Sequence, residues 1–553
     1  MKILMLTAEA RPYATAGGTS AVTSALSREL ARAGHDVRLV MPCYQSIVDR
    51  FNPQDCVTEL HVPDVGGGLK GYAKVDEGAF AFPVFFIGGD PHSYFRRVTG
   101  DAGAAPIYPR YPSDEAGEIY AFFCRAALEL AEAFARGGWT ADVIHCHDWP
   151  TGLAPAYLKT VLDGSFCFKD TAVVFTFHNI SDVVYQGGWF GRQLLDFAGI
   201  PPDESIRNRL MDKGSVNFMK AAISFSDQAN TVSTTYLAEV KGDQHYVCGR
   251  IVESNLIRTR MQRYGAGLEG FLCREAGKLR GIRNGIDVKR FDPRESTGTE
   301  YITGDNSTMT YDPHQLDEVL TAKREIKRLL QTHCREAFGA ALEVDSEVPI
   351  IAVRSRFASQ KGFDLITSAV PDFMRMKMSD GREPQLVIAA WDPDTEEAVE
   401  RLETRVREFD PDGRRIVLRI GRREHKWAEI GIHEFAHYAC CDMLLMPSLF
   451  EPCGLPQMLV MRYGTIPIVR RTGGLADTVQ DFDPIAKDGN GFDFVAEDPR
   501  EMLRAIGRAL GVYENQALWA KLMENAVRDS DNYGWATSAG EYTRMYEDAR
   551  GIS

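Results

Sequence analysis

Arg356 and Lys361 stand within one run, Arg354-Ser-Arg-Phe-Ala-Ser-Gln-Lys-Gly362, directly after the apolar stretch Pro349 to Val353. A planar guanidinium and a point-charged ammonium at the end of a buried strand suit the oxygens of a diphosphate. Gly362 lets the backbone come close, and a helix opening there adds partial positive charge. The competing reading is a solvated loop with surface charges. A carboxylate follows in Phe450-Glu451-Pro-Cys453-Gly454-Leu455-Pro456-Gln457, after the apolar run Met443 to Met446. Glu451 could grip sugar hydroxyls, and the N–H groups of Gly454 and Leu455 could hold further oxygens. Pro456 suits a first helical turn, where a missing N–H costs little. Taken alone, Glu-Pro before a helix serves equally well as a cap.

A third cluster is His145-Cys-His147-Asp148-Trp149 with Phe175-Thr-Phe-His178-Asn179. Paired histidines raise the question of zinc, which needs three or four ligands. In an extended segment Cys146 points away from His145 and His147, so no metal site is expected. Polar groups at strand ends facing a sugar suit the cluster better, with His145 a satisfied core histidine. No G-x-S-x-G elbow is present, and neither half shows G-x-G-x-x-G after its first strand. A carboxylate pair for glycoside hydrolysis stays open, because distance in space is not legible.

The elements that must position these groups are short apolar strands alternating with helices. Lys2 to Thr7 reads as a buried strand, Thr15-Ala-Gly17-Gly18-Thr19 as a turn, and Val22, Leu26 and Leu30 as one helix face. Strands are expected at Asp36 to Met41, Asp142 to His145 and Ala172 to Thr176. The second half repeats the pattern at Gln385 to Ala389, Arg415 to Leu418 and Thr465 to Val469, the last leading into Thr472-Gly473-Gly474 and a helix. This predicts an α/β protein with two Rossmann-like doubly wound domains, ligands lying at the carboxyl ends of the strands in a cleft between them. The expected divisions are a first domain over 1–290, a turn-rich connector over 291–345, a second domain over 346–530 and a terminal helix over 531–553.

Bulk properties narrow the partners. A chain of 553 residues exceeds one core. Its net charge of -14 argues against a nucleic-acid partner. Eleven cysteines without a C-x-x-C pattern read as a reducing cytoplasm and no structural zinc. No segment has the apolar length to span a bilayer, so a cytoplasmic enzyme is expected.

Together these segments resemble the bacterial glycogen synthases and plant starch synthases, glycosyltransferase family five. The resemblance runs from Met1 to about Tyr546 and rests on several pieces. They are Glu9-Ala-Arg-Pro12, the stretch His147 to Tyr157, Phe175 to Asn179, Tyr185-Gln-Gly187 and Arg283-Asn-Gly-Ile-Asp287. Arg356 to Gly362, Glu451 to Leu455 and Arg462 to Thr478 complete them. The resemblance implies the GT-B arrangement and transfer of glucose, with retention, from a nucleotide-glucose (ADP-glucose above all) to an α-1,4-glucan acceptor. It implies no metal and no cofactor. Arg356 and Lys361 would neutralise the leaving diphosphate, Glu451 would orient the donor sugar and His178 would contact the transferred glucose. Gly17, Gly18, Asp148, Asn179, Asn284, Cys453, Gly454, Leu455, Thr472, Gly473 and Gly474 match further substrate-binding positions.

Departures leave two alternatives open: a non-catalytic glucan-binding or regulatory relative, and a transferase making a different glycoside. The family's K-x-G-G-L-x-D reads Thr15-Ala-Gly-Gly-Thr-Ser-Ala21, which removes a phosphate-facing lysine and an aspartate. Its G-x-G-D turn reads Ala389-Ala-Trp391-Asp392, beside the expected nucleoside pocket. H-D-W-H ends here in Pro150, and E-P-C-G-L-T in Pro456. The link from His178 to Tyr185 is longer than the family's.

Overall fold

A computed structural model describes residues 1–89, 107, 114–181, 183–242, 264–303, 308–421 and 430–552. Asp182, within the long link, and the turn at 304–307 lie outside them. The chain forms two compact units, Met1–Asn284 with Trp535–Ser553, and Gly285–Gly534.

The first unit is built on a nine-stranded sheet ordered β11-β10-β7-β6-β1-β2-β5-β4-β3. Its members are β1 (Lys2–Leu6), β2 (Asp36–Pro42), β3 (Gln54–Val62), β4 (Leu69–Asp76), β5 (Val84–Gly89), β6 (Val143–His147), β7 (Ala172–Phe177), β10 (Gln228–Thr231) and β11 (Leu279–Gly281). A small hairpin, β8 (Met211–Asp212) and β9 (Ser215–Val216), stands apart. Central β1 pairs in parallel with β2 and β6. It is buried on both faces, as its continuous apolar run requires. The outer edge departs from the expected parallel pattern: β4 runs antiparallel to both β3 and β5. The turn between β3 and β4 is too short for a crossover, so those strands can pair only antiparallel.

The C-terminal helix Trp535–Ala549 packs on helix Thr19–Arg32 and on β7 and β10. A buried polar chain ties it down. Tyr546 lies 2.8 Å from His145 Nδ1, His145 Nε2 lies 2.7 Å from Thr176 Oγ1, and Thr176 donates to Asn230 Oδ1 at 2.5 Å. Asn230 Nδ2 donates to Tyr542 at 3.1 Å. Because Thr176 spends its proton on Asn230, it accepts from His145 Nε2–H, and His145 Nδ1 accepts from Tyr546. His145 is thus a core histidine with both nitrogens satisfied.

The second unit carries six parallel strands ordered β14-β13-β12-β15-β16-β17. They are β12 (Ile350–Arg356), β13 (Gln385–Trp391), β14 (Ile416–Gly421), β15 (Met443–Met446), β16 (Ile466–Arg470) and β17 (Phe492–Phe494). Strand order reverses at β12, which places a topological switch point at the carboxyl ends of β12 and β15. The residues read as a connector fold into this unit. Helix Leu316–Phe338 buries Val319, Ile326, Leu330 and Cys334, and with them Lys323 and Lys327. Lys323 Nζ donates to Ala439 O, Cys441 O and Thr465 Oγ1 at 2.7 to 2.9 Å, and Lys327 Nζ lies 2.8 Å from Asp442 Oδ2. Their stems line the apolar face while the ammonium groups find acceptors, so a helix that reads as polar is in fact docked.

Candidate functional site

In the second unit the switch point gathers one charged cluster. β12 delivers Arg356 as its last residue. A single 3-10 turn, Ser359–Lys361, then leads into helix Phe363–Phe373. Gly362 makes that turn possible: its φ is +75°, and a Cβ there would lie 2.1 Å from Pro447 O. The neighbouring loop after β15 is fastened from below. Gln360 Nε2 donates to Phe450 O at 3.0 Å, and Leu449 N donates to Gln360 O at 2.7 Å. Arg470 at the end of β16 donates to Ser448 O at 2.7 Å and also to Leu449 O.

This scaffold brings Lys361 and Glu451 together, Nζ to Oε2 at 2.5 Å. Ser448 Oγ donates to the same oxygen at 3.1 Å. Glu451 is 6% exposed, so its charge is held by direct partners rather than by water. Arg356 differs. It is half-buried, and its guanidinium makes no hydrogen bond or ion pair with the described residues. In the parallel register Arg356 is paired with Trp391, the last residue of β13, so the guanidinium and the indole share a face. Arg354 is on that face too, buried, its guanidinium 5.5 Å from the Trp391 ring.

The glycine turns pack against the same loop. Gly474 N donates to Glu451 O at 3.0 Å, and a Cβ on Gly474 would lie 2.1 Å from Cys453 O. Thr472 occupies the N-cap position of helix Gly473–Thr478, without a side-chain capping bond, and the helix starts at this contact. Cys453 is buried, and Gly454 and Leu455 lead into helix Pro456–Arg462, with Pro456 in its first turn. Gln457 Nε2 donates to Cys453 O, Gly454 O and Thr478 Oγ1 at 3.0 to 3.1 Å, which locks the loop between the two helices.

In the first unit Asp148, just beyond β6, adopts φ +57° and is buried. Its Oδ1 accepts His178 N at 2.7 Å and its Oδ2 accepts Thr19 Oγ1 at 3.0 Å. Burial drives its pKa up to about 7, against the pull of those two hydrogen bonds. His178 follows β7, half-buried, with Nε2 3.1 Å from His147 Nδ1 and the two rings stacked. Burial pushes His178 down to about 3 and His147 well below its ordinary value, so both imidazoles are neutral. Asn179 Oδ1 accepts from Ser181 N, Ser181 Oγ and Tyr236 OH, bonds that shape the loop. Asn284 ends this part of the first unit, buried, its Oδ1 without a partner among the described residues.

Gly17 and Gly18 lie exposed before helix Thr19–Arg32. Neither has positive φ, and a Cβ at Gly18 would meet nothing within 4 Å. These glycines therefore leave room above the turn rather than allow a special conformation. The group that shapes the turn is Glu9, buried, whose Oε2 accepts Ala16 N at 2.5 Å and Gly17 N at 2.9 Å. Sequence reasoning gave Glu9 no role, although a carboxylate so soon after a buried strand was the available signal. It likewise missed Thr19 as the donor to Asp148, and Arg470 as the clamp on the Glu451 loop. Among the described residues no cluster of three or more His, Cys, Asp or Glu could hold a metal ion. Among them, too, no helix is long and apolar enough to cross a membrane.

Two family models match the chain, one described as Starch synthase catalytic domain over residues 2–273 and one as Glycosyl transferases group 1 over 335–526. The glycogen synthase of Geobacillus thermodenitrificans (strain NG80-2) is 35% identical over 99% of this chain and 97% of its own. That of Clostridioides difficile (strain 630) is 35% identical over 99% of both. Among solved structures, the catalytic domain of Starch Synthase IV from Arabidopsis thaliana bound to ADP and acarbose is similar, with a TM-score of 0.74 and 27% identity over 100% of this chain and 99% of that one. A sucrose-phosphate synthase from Thermosynechococcus elongatus, at 17% identity and a TM-score of 0.54, shares the fold.

Proposed function

The chain belongs to the glycogen synthase and starch synthase family, and from that premise we propose how its residues perform glucosyl transfer. It is a glucosyltransferase that elongates a glucan from a nucleotide-glucose. ADP-glucose is the donor favoured here, since the starch synthase with the same fold carries ADP. The observation that carries the reading is Arg356: a cation without a partner among the described residues, at the end of the switch-point strand that leads into Lys361 of the Lys361–Glu451 pair.

Arg356 and Lys361 are assigned to the diphosphate. As the glycosidic bond to the donor breaks, negative charge grows on the leaving phosphate, and two fixed cations stabilise it without reorganisation. Glu451 is assigned to the sugar hydroxyls, with Gly454 and Leu455 presenting N–H groups at the helix start. Cys453, Thr472, Gly473 and Gly474 form the packed turn that holds those groups in place. On the first unit His178, oriented by Asp148 through its backbone, is assigned to the transferred glucose, and the open space above Gly17 and Gly18 to substrate. Asn179 and Asn284 take supporting positions. Retention of configuration and an α-1,4 linkage are the expected outcome. The nucleotide-glucose is a substrate, and because Arg356 and Lys361 supply the positive charge, no cofactor is assigned. A reducing, cytoplasmic setting is assigned, in keeping with nine described cysteines that lie outside any disulfide.

Incubating purified protein with maltooligosaccharides and ADP-, UDP- or GDP-glucose tests the reading. Chain extension with nucleotide release from at least one donor is expected. Absence of release from all of them, with glucan binding retained, would transfer the assignment to a non-catalytic relative, and a non-α-1,4 product to a different transferase.

A further inference from the structure

We propose that His147 is a positioning residue that fixes the tautomer of His178, so that His178 presents an N–H donor to the sugar. The inference rests on the assignment of His178 to the transferred glucose and adds the proton's place on the ring.

Two neutral imidazoles that meet nitrogen to nitrogen share one proton. His147 Nδ1 and His178 Nε2 are 3.1 Å apart, with the ring planes 19° apart. Either His147 donates or His178 does. The deciding atom is the far nitrogen of His147. His147 is fully buried, and its Nε2 has no hydrogen-bond partner among the described residues. If His178 donated, the proton of neutral His147 would sit on that Nε2, leaving a buried N–H with nothing to bond. Orphaned buried N–H groups are among the rarest features of folded proteins, rarer than unpaired acceptors. With the proton on His147 Nδ1, the shielded Nε2 carries only a lone pair.

His147 therefore donates from Nδ1, and His178 accepts at Nε2. A neutral His178 must then carry its proton on Nδ1. That atom has no partner among the described residues and is not among the solvent-shielded polar atoms. His178 consequently offers a hydrogen-bond donor on its open side, fit for a sugar hydroxyl oxygen. Its backbone N is held independently by Asp148, so loop position and ring tautomer are set by two separate residues. The neighbouring His145 does not compete, since both its nitrogens are engaged by Tyr546 and Thr176.

The test uses the full chain labelled with nitrogen-15 histidine, the His178 signals being identified by their loss in His178→Gln. The expected spectrum has His178 protonated at Nδ1 and bare at Nε2. A proton on Nε2 would overturn the proposal, whatever the activity. Kinetics supply the second arm. His147→Asp places an acceptor where a donor stood and should lower kcat by roughly a hundredfold, the scale of a lost preorganised donor. His147→Asn, which restores an N–H near the Nδ1 position, should recover most of the turnover lost in His147→Leu. Equal turnover in the Asp and Asn variants, both with native circular dichroism, would remove the positioning role. Lack of transfer by the unsubstituted enzyme would defeat the glucosyltransferase reading instead, and the spectrum separates the two failures.

Discussion

Lys361 Nζ lies 2.5 Å from Glu451 Oε2, and the oxygen that takes the ammonium also accepts the Ser448 hydroxyl. One of the two assigned phosphate cations is thus already engaged with the assigned sugar-binding carboxylate, while Arg356, two residues past the buried Arg354, is not engaged. The pair keeps the Glu451 charge tolerable in a buried position and holds Lys361 near where a diphosphate would arrive.

The two cations should therefore separate in mutagenesis. Arg356→Ala removes a side chain with no described partner. It is expected to lower kcat/KM by about two to three orders of magnitude, as loss of a preorganised charge does. Its melting temperature should stay within a few degrees of the parent's. Lys361→Ala should cost a similar factor in kcat/KM, and also melt lower, because it leaves the buried Glu451 unpaired. Steady-state kinetics and thermal melts on both variants check this, and equal melting losses would contradict it.

Asp148 predicts a pH dependence. Its folded pKa, about 7, is raised above the unfolded carboxyl value of about 3.9. Between those values the folded state holds a proton that the unfolded state has lost. The contribution of Asp148 to stability is therefore fully present below about pH 4 and declines as pH rises to about 7. In Asp148→Asn that decline should disappear. Denaturant unfolding of both proteins from pH 5 to pH 8 measures it, and parallel curves would refute the assignment. Thr19→Val, which deletes one of the two donors to this carboxylate, should carry the decline to higher pH.

Trp391 should influence the choice of donor. It ends β13 beside Arg356 on the same face, at the carboxyl edge where nucleotides bind in such sheets. If the indole stacks on the base, Trp391→Gly should raise the donor KM by about tenfold, the scale of one aromatic–base stack. It should also shift the preference among ADP-, UDP- and GDP-glucose. An unchanged ratio of kcat/KM values across the three donors would place Trp391 outside the base site.

Tyr546 should be a stability residue. Tyr546→Phe leaves His145 Nδ1 as a buried acceptor without its donor, a loss of about 1 to 3 kcal/mol. Urea denaturation checks the value, and an unchanged midpoint would mean that the His145–Tyr546 bond adds nothing to the docking of the terminal helix.

The strands and the site motifs were legible because their signals are local. Continuous β-branched runs mark buried parallel strands, and Gly362 and Pro456 mark helix starts through their own backbone limits. The burial of Lys323 and Lys327 was not legible, since the carbonyls that cage each ammonium come from distant segments or the far end of the helix's own connection. The antiparallel edge of β3, β4 and β5 was missed because a strand's direction in a sheet depends on its partner. Arg356 and Trp391 became neighbours only because β12 and β13 run on to those residues.

The amino-acid sequence by itself determined the fold class and the family and marked the candidate site residues, because residue type and short-range spacing carry these signals. Tertiary structure alone decided which polar group pairs with which: Lys361, rather than Arg356, with Glu451, Thr19 with Asp148, His147 with His178, and His145 with Tyr546. Hydrogen bonds and ion pairs act over about 3 Å. The His145–Tyr546 partners lie 401 residues apart in the chain and meet only after the sheets and the terminal helix have packed.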